Sequence, residues 1–258
     1  MSHATHFTRA IVRRPADSAV DGLRAEDIGT PDLGAMRADH AAYVAALEET
    51  GASVTVLPPL PAYPDAQFVE DTALCLPQGA VLMRPSAPSR AGEVATIEPV
   101  LRDHYETVVP LTRGRIEGGD VLVSAREVLV GLSARTDTVG VAALRAVTEG
   151  WGHSVREVRT PAGVLHLKTD CGLLADDTVL ATERLAASGC FDGYRVLRVP
   201  AGEEAAANCI RFNDVVIMPA GFPRTAEMLD REGFAIVPIG NAECAKLDGG
   251  MSCLSLRF

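Results

Sequence analysis

The sequence predicts an α/β fold, a five-bladed propeller, and three observations carry that expectation. A polar or acidic cluster followed by two short apolar runs, or the start of them, recurs five times. The recurrences start near residues 70, 117, 170, 208 and 249, about 40 to 50 residues apart, the range of propeller-like repeats. Between them lie stretches of helical spacing and a further apolar strand, so the unit reads as hairpin, helix, strand. Alternating helices and apolar runs also fit a doubly wound sheet. What favours the propeller is the chemistry gathered at the hairpin starts, which a common axis would bring into one pocket.

Taken in order, Arg9 to Arg13 reads as a first strand, and Asp17 to Asp32 as a loop holding Gly22, Gly29 and Pro31. From Asp32 to Thr50 the positions Met36, His40, Tyr43, Val44 and Leu47 follow helical spacing, with Gly51 as C-cap. Ser53 to Leu57 is a β-branched strand ended by Pro58-Pro59. The first hairpin runs from Phe68-Val69-Glu70-Asp71 to Arg84, followed by a helix over Ile97 to His104. The second opens at Glu117-Gly118-Gly119-Asp120 and leads to a helix over Asp137 to Trp151 and a strand over Val155 to Val158. The third opens at His166 and leads to a strand over Arg195 to Val199. The fourth opens at Ala207-Asn208 and returns through Val215 to Met218; the fifth opens at Asp248-Gly249-Gly250 and runs to Phe258. No linker or low-complexity segment divides the chain, so 1–258 is expected to form one domain with internal pseudo-symmetry.

A chain of 258 residues, 47% hydrophobic and 22% charged, has the composition of a soluble globular protein with a sizeable core. A net charge of -10 argues against nucleic acid and anionic membranes as partners and permits a small cationic one. No apolar run is long enough to span a bilayer, and Met1 to Pro15 lacks the apolar core of a signal peptide. Six cysteines form no C-x-x-C pair and no zinc-finger spacing. Most are flanked by apolar residues, as buried free thiols are, which points to a reducing cytoplasm. Neither nucleotide, phosphate, zincin nor serine-hydrolase motifs occur, and no cofactor or metal is expected.

The hairpin starts hold the reactive groups. Cys253 follows Gly249-Gly250 near the terminus, where a thiol has little packing use, although a lone Cys is more often a buried small hydrophobe. A thiol nucleophile needs a base or an electropositive setting, and of the six histidines only His166 opens a hairpin. Asp65, Glu70, Asp71, Glu117 and Asp120 sit at strand entries, where burial is costly unless they pair or hold a cation. Turn chemistry suits Asp120 and Asp170. It suits Glu70-Asp71 poorly, because they interrupt one apolar run. Converging carboxylates make a slot for a planar guanidinium. Arg84 and Arg135, at the ends of return strands, are candidates to clamp a carboxylate on the same ligand; exposed surface arginines are the plainer reading.

These residues resemble a dimethylarginine dimethylaminohydrolase, a family of the guanidine-modifying superfamily whose fold is the five-bladed α/β propeller called the pentein. The resemblance rests on Pro64-Asp65 ahead of FVED, RPSAPSR at 84–90, EGGDVL at 117–122, GLSART at 131–136, LHLK at 165–168, AANCI at 206–210 and LDGGMSC at 247–253. They occur in the expected order, whereas the first 60 residues match only loosely.

The resemblance implies Cys253 as nucleophile, His166 as general acid and base, and Glu117 as the carboxylate that orients His166 and touches the guanidinium. It implies that Asp71, with Glu70 close by, holds the guanidinium nitrogens, and that Arg84 and Arg135 bind the α-carboxylate. Asp65 and a backbone carbonyl near Leu23 would take the α-amino group, with Leu247 and Asp248 beside the nucleophile. The implied activity is hydrolysis of N-omega-methylated arginines to citrulline and an alkylamine, with no cofactor, and a homodimer is a candidate assembly. Arginine deiminases and amidinotransferases share the core but need longer chains. A non-enzymatic pentein would lack the reactive groups present here.

Overall fold

The computed structural model describes residues 3–258; Met1 and Ser2, part of the amino-terminal stretch read above, lie outside the described residues. Its secondary structure repeats one unit. A short 3-10 turn leads into a strand, a second strand returns antiparallel to it, and a helix crosses over to a third strand parallel to the second.

The unit is split once, at the chain ends. β1 (Arg9–Arg13), α1 (Leu33–Glu49) and β2 (Ser53–Leu57) supply its later part, while its first strand comes from the far end of the sequence. The next unit is β3 (Ala73–Leu76), β4 (Gly79–Leu82), α2 (Glu93–Arg102) and β5 (Val108–Pro110). Then follow β6 (Val121–Val123), β7 (Val128–Leu132), α3 (Thr138–Thr148) and β8 (Val155–Arg159). The fourth holds β9 (Cys171–Ala175), β10 (Thr178–Ala181), α4 (Glu183–Ala186) and β11 (Arg195–Arg198). The last holds β12 (Ile210–Phe212), β13 (Val215–Pro219), α5 (Pro223–Arg231) and β14 (Ala235–Ile239). A short helix, α6 (Ala242–Ala245), leads to β15 (Leu256–Arg257), which pairs antiparallel with β1 through Ala10–Arg257 and Ile11–Leu256. Five three-stranded sheets result, in a five-bladed α/β propeller.

Closure by β15 leaves no blade incomplete, a general way of removing exposed sheet edges. Each blade's first strand lies innermost. Residues of β3, β6, β9, β12 and β15 together line a central cavity of about 100 Å³. The helices lie outside and bury one face each. In α1 that face is Met36, His40, Tyr43, Ala46 and Leu47, and its start is fixed by Asp32, whose side chain accepts from Ala35 N at 2.9 Å. Asp137 caps α3 in the same way, accepting from Gly140 N at 2.8 Å. No helix among the described residues is long and apolar enough to cross a membrane.

The second blade's helix differs from the sequence expectation. It begins at Glu93 rather than Ile97 and ends at Arg102. Its first turn is anchored by a buried ion pair between Glu93 and Arg90, with Val94 only partly buried, so hydrophobic spacing does not register it. The polar clusters expected at the hairpin starts are the 3-10 turns at Val69–Thr72, Gly118–Asp120, Leu167–Thr169, Glu204–Ala207 and Ser252–Leu254.

The ring seal depends on Leu256, buried with Ile11, Val69 and Ile97. Leu256→Ala should lower the unfolding free energy by about 2–5 kcal/mol, the range for deleting a buried leucine side chain. Urea denaturation monitored by circular dichroism measures it, and a loss under about 0.5 kcal/mol, the size of an ordinary surface change, would mean that the closing strand adds little.

Candidate active site

On one side of the ring, the turns and the loop before β3 converge on a second pocket. Its reactive lining is Cys253, His166, Glu117 and Asp71. Its other charged lining is Asp65, Arg90, Arg135 and Asp248, and its apolar walls are Leu23, Phe68, Leu165, Leu247 and Gly249.

His166 Nε2 lies 2.7 Å from Glu117 Oε2, both residues being buried. The other oxygen, Glu117 Oε1, accepts from Ser86 N at 2.7 Å and from Ser86 Oγ at 2.8 Å, so the carboxylate cannot swing away from the imidazole. Asp71 is held on both oxygens. Oδ1 accepts from Gly119 N at 2.8 Å, and Oδ2 pairs with Arg90 Nη1 at 2.5 Å. Arg90 also donates to Glu93 and to Phe68 O, which commits most of its donors. Arg135 is freer. Its Nη1 lies 3.5 Å from Ser86 Oγ and 3.9 Å from Glu117 Oε1, with a quarter of its side chain exposed.

Close approach explains the Gly-Gly of the second turn. A Cβ on Gly118 would stand 1.9 Å from Glu70 O, and one on Gly119 would stand 2.8 Å from the His166 ring. Only glycine lets this turn lie between Asp71 and the imidazole. The turn that carries Cys253 is braced by Asn208, whose Oδ1 accepts from Ser252 N at 2.9 Å, while Gly250 N lies 3.5 Å from Cys253 Sγ.

The electrostatics favour the protonated form of both the imidazole and the thiol. Burial alone would lower the His166 pKa, but the Asp71 charge, the Glu117 hydrogen bond and the Asp120 charge outweigh it and raise it to about 9. Burial raises the Cys253 thiol to about 11, helped by the Glu70 and Asp71 charges and opposed by Gly250 N–H and Lys168. Burial would raise Asp71, yet Arg90 and His166 hold it at about 2. At neutral pH His166 therefore stands as an imidazolium, Asp71 and Glu117 as carboxylates and Cys253 as a neutral thiol. Asp71, Glu117 and His166 present ligand-type atoms within 4.8 Å of one another. A metal cation there would have to displace the imidazolium proton and tolerate the Arg90 charge on Asp71.

The irregular segment after Asp21 reaches over this pocket on two carboxylates. Asp65 Oδ1 accepts from Leu23 N at 3.0 Å, and Asp248 Oδ2 accepts from Ala25 N at 2.6 Å. Asp248 has a φ of 57°, left-handed backbone that turns its side chain toward that segment.

Of the residues singled out in the sequence, Leu23, Asp65, Asp71, Glu117, Arg135, His166, Leu247, Asp248 and Cys253 thus meet in one pocket. Two do not. Arg84 is exposed, with its Nε on Gly114 O at 2.9 Å, and the pocket's second arginine is Arg90, from the same RPSAPSR segment. Glu70 points to the opposite side, where Oε1 is shared by Lys168 Nζ at 2.6 Å and Arg257 Nη2 at 2.7 Å. Phe68, Leu165 and Ser86 escaped sequence reasoning, because an apolar wall or a supporting hydroxyl leaves no spacing signal. Asp120 and Asp170 have structural partners: Leu167 N and Ser133 Oγ for the first, Thr182 Oγ1 and Arg184 for the second. Four cysteines, at 171, 190, 209 and 244, are buried free thiols, whereas Cys75 and Cys253 are half-buried.

Residues 35–257 match the family model described as arginine deiminase. The chain belongs to this family, within the guanidine-modifying, pentein superfamily. Its full-length likeness there lies with the dimethylarginine dimethylaminohydrolases. It is 39% identical over 254 residues to the N(G),N(G)-dimethylarginine dimethylaminohydrolase of Pseudomonas aeruginosa, covering 98% of this chain and 100% of that one. A crystal structure of the Pseudomonas aeruginosa enzyme, a cysteine-to-serine mutant complexed with citrulline, superposes with a TM-score of 0.95 at 38% identity, over 98% and 100% of the two chains. A dimethylarginine dimethylaminohydrolase with histidine replaced by glycine, as an adduct with S-methyl-L-thiocitrulline, gives the same TM-score, identity and coverage.

The raised imidazolium has a thermodynamic consequence. The native state keeps a proton on His166 up to about 9 that the unfolded chain, at the ordinary value of 6.5, has already released. Stability from this group is therefore complete below about 6.5 and lost as pH rises through about 9. Urea titrations across that window should show unfolding free energy falling in the wild type and a flatter profile in His166→Asn. Parallel profiles would show that the imidazole is not held as a cation.

Proposed function

We propose that the protein hydrolyses N-omega-methylated arginines, asymmetric dimethylarginine and monomethylarginine, to citrulline and dimethylamine or methylamine. The reading has residues 1–258 acting as one pentein domain in the cytoplasm, with a homodimer as the assembly to test. The observation that carries it is the pairing of Cys253 with a carboxylate-held imidazole and Asp71, in a chain similar over its whole length to a dimethylarginine dimethylaminohydrolase.

The substrate would lie with its guanidinium against Asp71 and Glu117 and its α-carboxylate at Arg135. Arg90, already committed to Asp71 and Glu93, adds positive charge at that end and fixes Asp71. Asp65 Oδ1 is taken by Leu23 N, which leaves Oδ2 for the α-ammonium group.

A delocalised guanidinium is a poor electrophile, and a thiol pushed up to about 11 is a poor nucleophile. The substrate addresses both. Its cation, set between the carboxylates and the thiol, favours the thiolate, and orientation places the central carbon about 3–3.5 Å from sulfur. Cys253 releases its thiol proton to solvent, Sγ bonds to that carbon and the C=N electron pair moves to nitrogen. His166, already protonated, gives its proton to the departing amine as the C–N bond breaks, leaving a thiouronium. The now neutral imidazole takes a proton from water, whose oxygen adds to the carbon. The C–S bond then breaks as the C=O bond forms, citrulline leaves, the hydroxyl proton is carried off by the amine, and the thiolate regains a proton from solvent.

The direct test is to incubate the protein with asymmetric dimethylarginine, monomethylarginine and arginine and to quantify citrulline. The two methylated compounds should yield citrulline, and Cys253→Ser should abolish it, since a serine hydroxyl is far less ionised than a thiol. Wild-type protein quenched during turnover should carry a mass adduct on Cys253. Citrulline from arginine alone would reassign the substrate, and an active serine variant would remove the nucleophile.

Mutations at the two ends of the pocket should differ in kinetics. Asp71→Asn removes a charged partner from a desolvated guanidinium, at a cost of about 2–5 kcal/mol, so kcat and kcat/KM should fall together by roughly 30-fold or more. Arg135→Ala should act chiefly through KM, provided its contact binds ground and transition states alike. Steady-state kinetics on asymmetric dimethylarginine separates them; identical effects would mean that the two ends are wrongly assigned.

A further inference from the structure

Glu70 sits beside Asp71 in sequence, yet it takes no part in the pocket. Its carboxylate is buried behind it, and Oε1 alone receives Lys168 Nζ at 2.6 Å and Arg257 Nη2 at 2.7 Å. Lys168 lies two residues after His166. Arg257 Nη1 donates to Ser252 O at 2.9 Å, to Ser255 O at 3.0 Å and to Ser255 Oγ at 3.1 Å, which spans the turn carrying Cys253. Ser255 Oγ is 2.7 Å from Tyr43 OH on α1, so the assembly is also tied to the outer helix. One carboxylate oxygen therefore joins the three turns that carry Asp71, His166 and Cys253.

We propose that Glu70, Lys168 and Arg257 are positioning residues for the guanidine chemistry, holding these turns in register and setting the charge behind the Cys253 thiol without touching substrate. The inference rests on the hydrolase reading for its kinetic part only. The charge part follows from the arrangement itself. Glu70 disfavours the thiolate and Lys168 favours it. Asp71 from the first turn also raises the thiol, burial and then Cys253 raise the Cys244 thiol on α6, and His166 and Glu117 share the Cys253 pocket. Asp65, Arg90, Arg135 and Asp248 lie across the same pocket.

A residue that merely supports the fold would not shift the thiol in opposite directions when opposite charges are removed. The experiment uses Glu70→Gln and Lys168→Met, with Arg257→Lys and Arg257→Gln as a conservative and a non-conservative pair. Iodoacetamide alkylation of Cys253, followed by mass spectrometry across pH, reads the thiol without substrate. Glu70→Gln should move the profile to lower pH and Lys168→Met to higher pH, each by about one unit. Both should lower kcat on asymmetric dimethylarginine about ten- to a hundredfold with KM little changed, the signature of displaced reacting groups. Arg257→Lys should keep more of kcat than Arg257→Gln. Profiles that coincide with wild type or move the same way would overturn the proposal, and so would a loss carried by KM alone. Wild-type protein that releases no citrulline from either methylated arginine would sink the hydrolase reading instead, with the alkylation shifts still deciding the charge role.

Discussion

The frame of the ring rests on an interaction repeated at three of its five joints, a side-chain oxygen at one inner turn accepting a backbone N–H from the next. Asp71 receives Gly119 N, Asp120 receives Leu167 N, and Asn208 receives Ser252 N, at 2.8, 2.8 and 2.9 Å. Near the axis the chain leaves one blade before it has joined the next sheet, so these N–H groups have no ladder partner. An unpaired buried N–H is costly, and a carboxylate or amide oxygen removes that cost while tying blade to blade. Acids at strand entries, which look out of place in an apolar run, are thus part of the frame. The residues lining the pocket inherit the rigidity of that frame where they lie on the same turns or beside them.

Burying acids for this purpose creates a charge problem, and its local solution shapes the pocket. Asp71 is neutralised by Arg90 on one side and faces His166 on the other, with Glu117 completing the pair. Imidazole then exists as a cation, poised to donate, and the thiol is left neutral among negative charges. A site that is electrostatically unready until a cation arrives discriminates for cations by construction. The back of the ring solves the same problem differently, with Glu70 between Lys168 and Arg257. Adjacent residues point to opposite sides of the axis, so Glu70-Asp71 serves both faces from a single turn.

That alternation also explains what could be read from the sequence. Five hairpin starts were legible because each pairs polar residues with short apolar strands at regular intervals, and Cys253, His166, Glu117 and Asp71 stand at such starts. Spacing cannot say which of two neighbouring carboxylates faces the pocket, so Glu70 and Asp71 were indistinguishable there. The same holds for Arg84 and Arg90, six residues apart, the second ending a 3-10 turn: Arg90 is buried against Glu93, three residues on, and against Asp71, which only the folded chain brings near. Closure of the ring by β15 on β1 joins the two ends of the sequence, beyond any local pattern. The helix start at Glu93 was hidden for a related reason, since an ion pair anchors it.

The segment over the pocket links recognition to enclosure. Asp65 is buried, which raises its pKa, although Arg90 and the N–H of Leu23 oppose that rise. It spends one oxygen on Leu23 N and leaves the other for an ammonium group in the proposed reading. Asp248 holds Ala25 N from the neighbourhood of Cys253, so the segment is fastened at both ends of the pocket. An ammonium at Asp65 would add to the positive charge of Arg90 and keep this buried carboxylate ionised, and with it the acceptor that holds Leu23 in place. Binding the amino-acid end would thereby favour the covered state at the guanidinium end. A compound with the same guanidinium but no ammonium would lack that reinforcement and would leave the thiol more open to water.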